Sequence, residues 1–214
     1  MKQVAQAIWR ELLPYAPVFT TSEVADVAGV SLPNASRDLG NLVEDGMVAR
    51  VRRGLWAVPS HPDFSPYAVI PHLFGDQQEG YLSVLSALNL HGMIDQIPRV
   101  VQIVTTGQRS RLETPVGTFE FHQLHPALFG GFGPYRDMGN FDIATPEKAL
   151  FDTLYLSARK GRRFSHLPEM EIPTGFSPAL LEEWIAKVEY EPLRLAVYER
   201  WKRLDERAGL DLTR

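Results

Sequence analysis

The stretch "SLPNASRDLGNLVEDGMVARVRRGLWAV", residues 31–58, decides the fold of the N-terminal part of the chain. Ser31 is a typical N-cap residue, Pro33 fits the first turn of a helix, and Gly46 ends the helical pattern. One side of the predicted helix is apolar at helical spacing, and comprises Leu32, Ala35, Leu39, Leu42 and Val43. We therefore expect this side of the helix to pack against a core.

The opposite side of this helix carries a polar stripe, which comprises Asn34, Arg37 and Asn41. Arginine is suited to guanine and asparagine to adenine in the major groove of DNA. Ser31 and the free N–H groups of the first turn can hold a phosphate. This pattern favours DNA binding over a merely solvated surface.

An arginine-bearing β-hairpin follows the helix. Residues 48–58 alternate in polarity, with alanine and valine on one face and Arg50 and Arg52 on the other. Arg53 and Gly54 fit a two-residue turn. We expect the three arginines to contact flanking phosphates or to enter the minor groove of a duplex.

Two further helical patterns precede residue 31. The first covers residues 2–13, and the second begins at Thr21 or Ser22 as N-cap and ends at Gly29. The order helix, helix, short turn, helix and two-stranded wing predicts a winged helix-turn-helix. We expect the polar stripe and the hairpin arginines to form one continuous electropositive face.

The rest of the chain predicts a larger mixed α/β domain that ends in helices, so the fold class is α+β. Residues 59–80 contain four prolines and indicate a connection with one short helix after Ser65-Pro66. Strands are predicted at 99–106, 116–124 and 140–144. Helices are predicted at 81–92, 144–160, 177–187 and 191–208. The predicted division is a winged helix-turn-helix at 1–60, a connection at 61–80 and a C-terminal domain at 81–214.

A second basic cluster lies beyond the N-terminal part. It comprises Arg159, Lys160, Arg162 and Arg163, to which Arg109 and Arg111 are added. The functional interpretation is a patch for nucleic acid or an acidic partner. The alternative is stabilisation of a helix end by cations, together with solvation.

Motifs for catalysis or metal binding are weak in this sequence. His122 and His125 have an odd spacing on a predicted strand, which places them on opposite faces and favours structural roles. The glycine-rich stretch 129–134 lacks the Gly-Lys-Ser/Thr ending of a phosphate loop, so we expect an ordinary loop there. Glu147 and Asp152 do not share a helix face. We therefore expect a non-enzymatic protein without metal or cofactor.

Composition and charge restrict the class of protein. The 214 residues contain no cysteine, which excludes disulfides and fits a reducing cytoplasm. No secretory signal or membrane-spanning run is recognisable, so we expect a cytoplasmic protein without a membrane partner. The net charge of −4 comes entirely from residues 61–214, because residues 1–60 hold six basic and six acidic side chains. Four of those six basic residues lie between Arg37 and Arg53, so positive charge is focused there.

Four pieces of the sequence together resemble the AbiEi antitoxins of type IV (abortive infection) toxin–antitoxin systems. The pieces are "RVRRGLWAV" (50–58), "YLSVLSALNLHGMI" (81–94), "TPVGTFEFHQLHPALFGGF" (114–132) and "ATPEKALFDTLYL" (144–156). The resemblance implies a repressor that binds inverted repeats in its own operon promoter through the winged helix. It also implies that the C-terminal domain counters a cognate nucleotidyltransferase-like toxin.

By matching positions, the resemblance implies that the DNA-facing residues are Ser31, Asn34, Arg37, Asn41, Arg50, Arg52 and Arg53. We expect a monomer or weak dimer that pairs on DNA. Three alternatives stay open at this point. The first is a stand-alone regulator with a ligand-sensing or dimerisation domain. The second is a nucleic-acid-processing enzyme that uses its second domain. The third is a winged helix that serves only to dock proteins.

Overall fold

The computed structural model describes residues 2–74, 79–108, 111–138, 140–159 and 167–208. Contacts divide the chain into two compact units. Unit 1 holds residues 1–75 together with 112–118 and 135–141, and unit 2 holds the remaining residues. The structure is a mixture of helices and sheets, and each unit contains both.

Three helices form one layer of unit 1. They are α1 (Lys2–Ala7), which continues as a π-helical turn over Ile8–Leu12, α2 (Thr21–Ala28) and α3 (Leu32–Glu44). Helix α1 packs on α2 and α3, and α2 packs on α3. The helices predicted at 2–13 and after Ser31 are confirmed, although the first one changes to wider π-helical hydrogen bonding halfway along.

The start of α2 differs from the prediction. Its N-cap is Thr20, so the predicted cap at Thr21 or Ser22 is wrong. Thr20 has extended backbone angles, its hydroxyl accepts from the Glu23 N–H (3.2 Å), and the Glu23 carboxylate accepts from the Thr20 N–H (2.6 Å). This reciprocal capping box requires Glu three residues after the cap, and only Thr20 satisfies that spacing among the three candidates. The predicted end at Gly29 is confirmed by a left-handed backbone with φ 63°.

A small antiparallel sheet completes unit 1. Its strands are β1 (Val18–Thr20), β2 (Ala49–Arg52) and β3 (Leu55–Ala57), in the order β1-β3-β2. The predicted hairpin is confirmed, with Arg53 and Gly54 in the turn and φ 78° at Gly54. Strand β1 was not predicted from the sequence, because three residues are too few to show an alternating pattern.

The core of unit 1 is formed by the apolar sides of the three helices and by Phe19 and Trp56 of the sheet. It includes Val4, Ile8, Phe19, Val24, Leu39, Leu42 and Trp56. The buried Trp56 indole N–H donates to the hydroxyl of Thr21 (2.8 Å), which satisfies its polar atom. Ala35 is also buried as predicted, but Leu32 is 53% exposed. The prediction for Leu32 is wrong because this residue begins the helix, at the margin of the apolar stripe.

Part of the predicted connection is a packed element. A 3₁₀ helix runs over Pro66–Leu73, so the short helix predicted after Ser65-Pro66 is confirmed. Its side chains Ala68, Val69, Ile70 and Leu73 are buried, and contacts group this helix with unit 1. The domain limits at residues 60 and 80 stay a prediction.

A second sheet is mixed and has six strands in the order β6-β7-β5-β4-β9-β8; most of its residues belong to unit 2, whereas nearly all of β6 belongs to unit 1. The strands are β4 (Gly80–Leu82), β5 (Val101–Thr105), β6 (Arg111–Thr114), β7 (Gly117–Gln123), β8 (Phe132–Tyr135) and β9 (Phe141–Ala144). Central strand β5 pairs antiparallel with β4 and parallel with β7. The predicted strands β5, β7 and β9 are confirmed.

Three strands of this sheet were not predicted, namely β4, β6 and β8. Residues 80–82 read as the start of a helix because leucine and tyrosine continue the apolar periodicity of the helix that follows. That helix begins at Val84 instead, so its predicted start at residue 81 is wrong. Strand β8 contains part of the glycine-rich stretch that was predicted as a loop.

The helices of unit 2 are α4 (Val84–Leu90), α5 (Pro146–Ala158), α6 (Pro178–Ala186) and α7 (Glu191–Ala208). Helix α5 packs on α4, α6 and α7, and nearly all of its side chains are buried. Its N-cap residue is Thr145, whose hydroxyl accepts from the Lys148 N–H (3.3 Å). Among the helices of the described residues, none combines the length and the apolar composition needed to cross a membrane.

Candidate nucleic-acid interface

The polar stripe on α3 lies in solvent. Burial of Ala35, Leu39 and Leu42 fixes the rotation of the helix about its own axis. As a result the stripe residues Asn34, Arg37 and Asn41 are all exposed, and so is Ser31. Ser31 is the N-cap residue as predicted, but its hydroxyl makes no capping hydrogen bond. The start of α3 therefore presents polar groups outward.

Arg37 is the basic side chain of this stripe. Its side chain is 69% exposed, and Nε lies 3.8 Å from the carboxylate of the adjacent Asp38. The guanidinium lies largely in water, whereas the Asp38 side chain is only 14% exposed. At 3.8 Å the pair is longer than a hydrogen bond, so Asp38 leaves the N–H donors of Arg37 to an external acceptor.

The arginine hairpin has one buried and one exposed face. Val51 is buried, whereas Arg50 and Arg52 are exposed on the strand and Arg53 is exposed in the turn. The guanidinium carbon of Arg50 lies 5.6 Å from the centre of the Trp56 ring, a cation–π contact that orients the side chain. The strand register shifts between Arg50 and Arg52, an irregularity of the kind that bends a strand and changes the direction of neighbouring side chains.

Arg52 is anchored within unit 1. One of its terminal nitrogens donates to the main-chain carbonyl of His72, in the 3₁₀ helix. Burial lowers the pKa of the His72 imidazole; the carboxylate of Glu23 opposes this shift, and the positive charge of Arg52 reinforces it. Since a guanidinium has five N–H donors, Arg52 keeps others for an external acceptor. Arg53 is the more direct probe of external contacts.

Charge along α3 is uneven. Arg37 and the partly buried Asp38 lie in the first half, whereas Glu44 and Asp45 are exposed at the C-terminal end. Carboxylates repel a phosphate backbone, and the N-terminal end of a helix attracts it. The first half of α3 is therefore the part that suits a polyanion.

The second basic cluster lies partly outside the described residues, which exclude Arg109, Lys160, Arg162 and Arg163. Arg111 is exposed on β6 and has an interaction partner. Arg159 donates to the Gln123 carbonyl (3.1 Å) and lies over the Tyr155 ring, 5.7 Å from its centre. Arg159 thus has a structural role, and a partner patch at this cluster stays a prediction.

The two histidines of "HQLHP" have different surroundings. His122 is buried on β7, whereas His125 is exposed and its Nδ1 accepts from the Ala127 N–H (3.3 Å) at the start of a short 3₁₀ helix. The described ranges contain no group of three or more His, Asp or Glu side chains placed to hold a metal ion.

A buried polar cluster in unit 2 was missed by the sequence analysis. The carboxylate of Asp152 accepts from Lys148 Nζ, from the Ser83 hydroxyl (2.7 Å) and from the Tyr81 hydroxyl (3.1 Å). The side chains of Lys148 and Asp152 are both 0% exposed. Burial raises the pKa of Asp152 and lowers the pKa of Lys148, while each charge opposes the shift of the other. The i,i+4 spacing of Lys and Asp within an apolar helix was the available signal.

Aromatic rings close this cluster from the side of Lys148. Nζ lies 4.8 Å from the centre of the Phe151 ring and 4.7 Å from that of Trp184. Gly131 packs closely against the Trp184 ring, since a Cβ at this position would lie 2.7 Å from it. The fully buried pair therefore joins α5 to the sheet and is closed to a substrate.

The N-terminal part of the chain matches a known family. Residues 10–59 match the profile of the AbiEi antitoxins, which are described as transcriptional regulators. The match covers less than a quarter of the chain and includes α2, α3, the arginine hairpin and Ser31. No curated protein matches the chain. Over residues 10–59, the chain is thus similar to the AbiEi antitoxin family of transcriptional regulators.

Proposed function

We propose that this chain is a cytoplasmic, non-enzymatic repressor and type IV antitoxin. Unit 1 acts as a winged helix-turn-helix, with the arginine hairpin as its wing, and binds inverted repeats in the promoter of its own operon. Unit 2 counters a nucleotidyltransferase-like toxin. The family match at residues 10–59 supports both the regulatory and the antitoxin part of this proposal.

The exposed polar stripe of α3 carries the DNA-binding part of the proposal. Packing of the opposite side of α3 leaves Asn34, Arg37 and Asn41 directed away from the core. In helix-turn-helix proteins the second helix lies in the major groove and its first residues contact base edges. We assign Arg37 to bidentate hydrogen bonds with guanine and the asparagines to hydrogen bonds with adenine.

The hairpin arginines supply affinity without sequence preference. Arg53, at the turn, and the free donors of Arg52 reach phosphates beside the helix or enter the minor groove. Each phosphate that is neutralised releases counterions, so these contacts make the affinity depend on salt. Inverted repeats require two copies of the chain, which we propose are monomers or weak dimers that pair on the DNA.

The DNA-binding part is tested by fluorescence anisotropy on a duplex from the chain's own promoter and on a scrambled duplex. Arg37→Ala is expected to cost about 1–3 kcal/mol on the promoter and to relax base preference. Arg53→Ala is expected to weaken both duplexes alike and to reduce the salt slope by about 1. Equal weakening of both duplexes by Arg37→Ala would show that α3 does not read bases.

The antitoxin part is tested in cells that express a nucleotidyltransferase-like toxin from the same operon. Full-length Arg37→Ala is expected to lose repression of a promoter reporter but to rescue growth, because its unit 2 is unchanged. Failure of the wild-type chain to rescue growth would favour the alternative of a stand-alone regulator with a ligand-sensing or dimerisation domain.

A further inference from the structure

Gly40 occupies an unusual position in the middle of α3. It lies one turn after Arg37 and directly before Asn41, at the margin of the polar stripe, and is partly exposed. Glycine destabilises a helix interior relative to alanine, because it loses more backbone freedom on folding. A glycine at this point of α3 therefore calls for a physical reason.

The interior of the protein gives no such reason. Gly29 and Gly54 have left-handed backbones, with φ of 63° and 78°, which explains those glycines. Gly40 is in ordinary helical conformation, so alanine would fit its backbone. Apart from its chain neighbours and the backbone of α3, no described atom lies within 4 Å of the place where a Cβ would be. The missing methyl group leaves open space on the outside of the helix.

The surroundings of this space indicate what approaches it. Arg37 and Glu44, three residues before and four residues after Gly40, lie above and below it on the same helix side. Between these two long side chains the helix surface is main chain only. A polyanion that binds Arg37 can therefore contact the backbone of α3 at Gly40, one turn before the acidic residue Glu44.

We propose that Gly40 is the point at which the main chain of α3 contacts base-pair edges in the major groove. The absence of Cβ sets how deeply α3 enters the groove, and thereby lets Arg37 and Asn41 reach their bases. This inference rests on the proposed DNA binding and adds to it a residue that determines specificity through the shape of the helix rather than through a hydrogen bond.

The test is Gly40→Ala in the full-length chain. Its melting temperature is expected to equal or exceed that of the wild type, because alanine favours the helix and no internal atom obstructs its methyl group. Its affinity for the promoter duplex is expected to fall roughly tenfold, the loss of one specific base contact. Gly133→Ala is the matched control, since it adds a methyl group in open space on β8, and is expected to leave affinity unchanged.

The outcomes separate this inference from the proposed function. If wild-type protein prefers the promoter duplex and Gly40→Ala binds it equally well, the role of Gly40 is wrong and DNA binding stands. A lower melting temperature for Gly40→Ala would also overturn the inference, because the glycine would then have an internal structural role. If wild-type protein shows no preference for the promoter, both proposals fall.

Discussion

Replacing Lys148 with methionine leaves the carboxylate of Asp152 buried without its cationic partner. Methionine has a similar length, so the change removes charge with little loss of packing. Both side chains are completely buried, and breaking such a pair costs about 3–5 kcal/mol. We expect the lower part of this range, because two hydroxyl donors to Asp152 remain and its raised pKa allows the carboxylate to take up a proton.

The assay is urea and thermal unfolding followed by circular dichroism. A loss of about 3 kcal/mol corresponds to a fall in melting temperature of roughly 6–12 °C for a chain of this size. The double variant Lys148→Met/Asp152→Asn is expected to recover much of the loss, because no buried charge is then left unpaired and an amide oxygen still accepts from the Ser83 and Tyr81 hydroxyls. Lys187→Met is the matched control, since that lysine is exposed beside the Trp184 ring.

This reasoning would be refuted if the free energy of unfolding of Lys148→Met lay within about 1 kcal/mol of the wild-type value. A buried carboxylate without its cationic partner destabilises a protein by more than that. A double variant less stable than either single variant would equally contradict it. In that case the stability of the cluster would come from packing of the aliphatic parts of the Lys148 and Asp152 side chains rather than from charge pairing.

Three further predictions follow from unit 1 and unit 2. Thr20→Ala should destabilise unit 1 by about 1 kcal/mol in urea unfolding, whereas Ser22→Ala should change it little, because Thr20 is the cap of α2. The lowered pKa of His72 means that the unfolded chain takes up a proton first as pH falls. Unit 1 should therefore lose stability below about pH 6.5, and His72→Gln should flatten that slope. Gly131→Ala should lower the melting temperature of unit 2 by several degrees, because its backbone is left-handed and its Cβ would overlap Trp184.

The candidate site was accessible to sequence reasoning because its signals are local. Helix α3 has an N-cap, a proline in its first turn and a regular apolar stripe, and each of these acts within a few residues. The hairpin shows alternation and a turn glycine. Leu32 was wrongly predicted to be buried, because the apolar periodicity does not show how far the core extends at the end of the helix.

The parts that sequence reasoning missed depend on distant contacts. Strand β1 exists because it pairs with β3, nearly forty residues later, and its own three residues carry no pattern. The role of Asp152 depends on its hydrogen bond with Tyr81, which lies on β4 and is 71 residues away in sequence. Register and burial across such distances are fixed by tertiary packing, which local propensity does not encode.

The measurement closest to the central proposal is a hydroxyl-radical footprint of the full-length protein on its own promoter. If unit 1 binds inverted repeats through α3, the protein should protect two half-sites centred about one helical turn apart, or a multiple of that distance. Arg37→Ala should abolish both protected regions at the same concentration. Uniform or absent protection with the wild-type chain would contradict the assignment of the α3 stripe to DNA recognition.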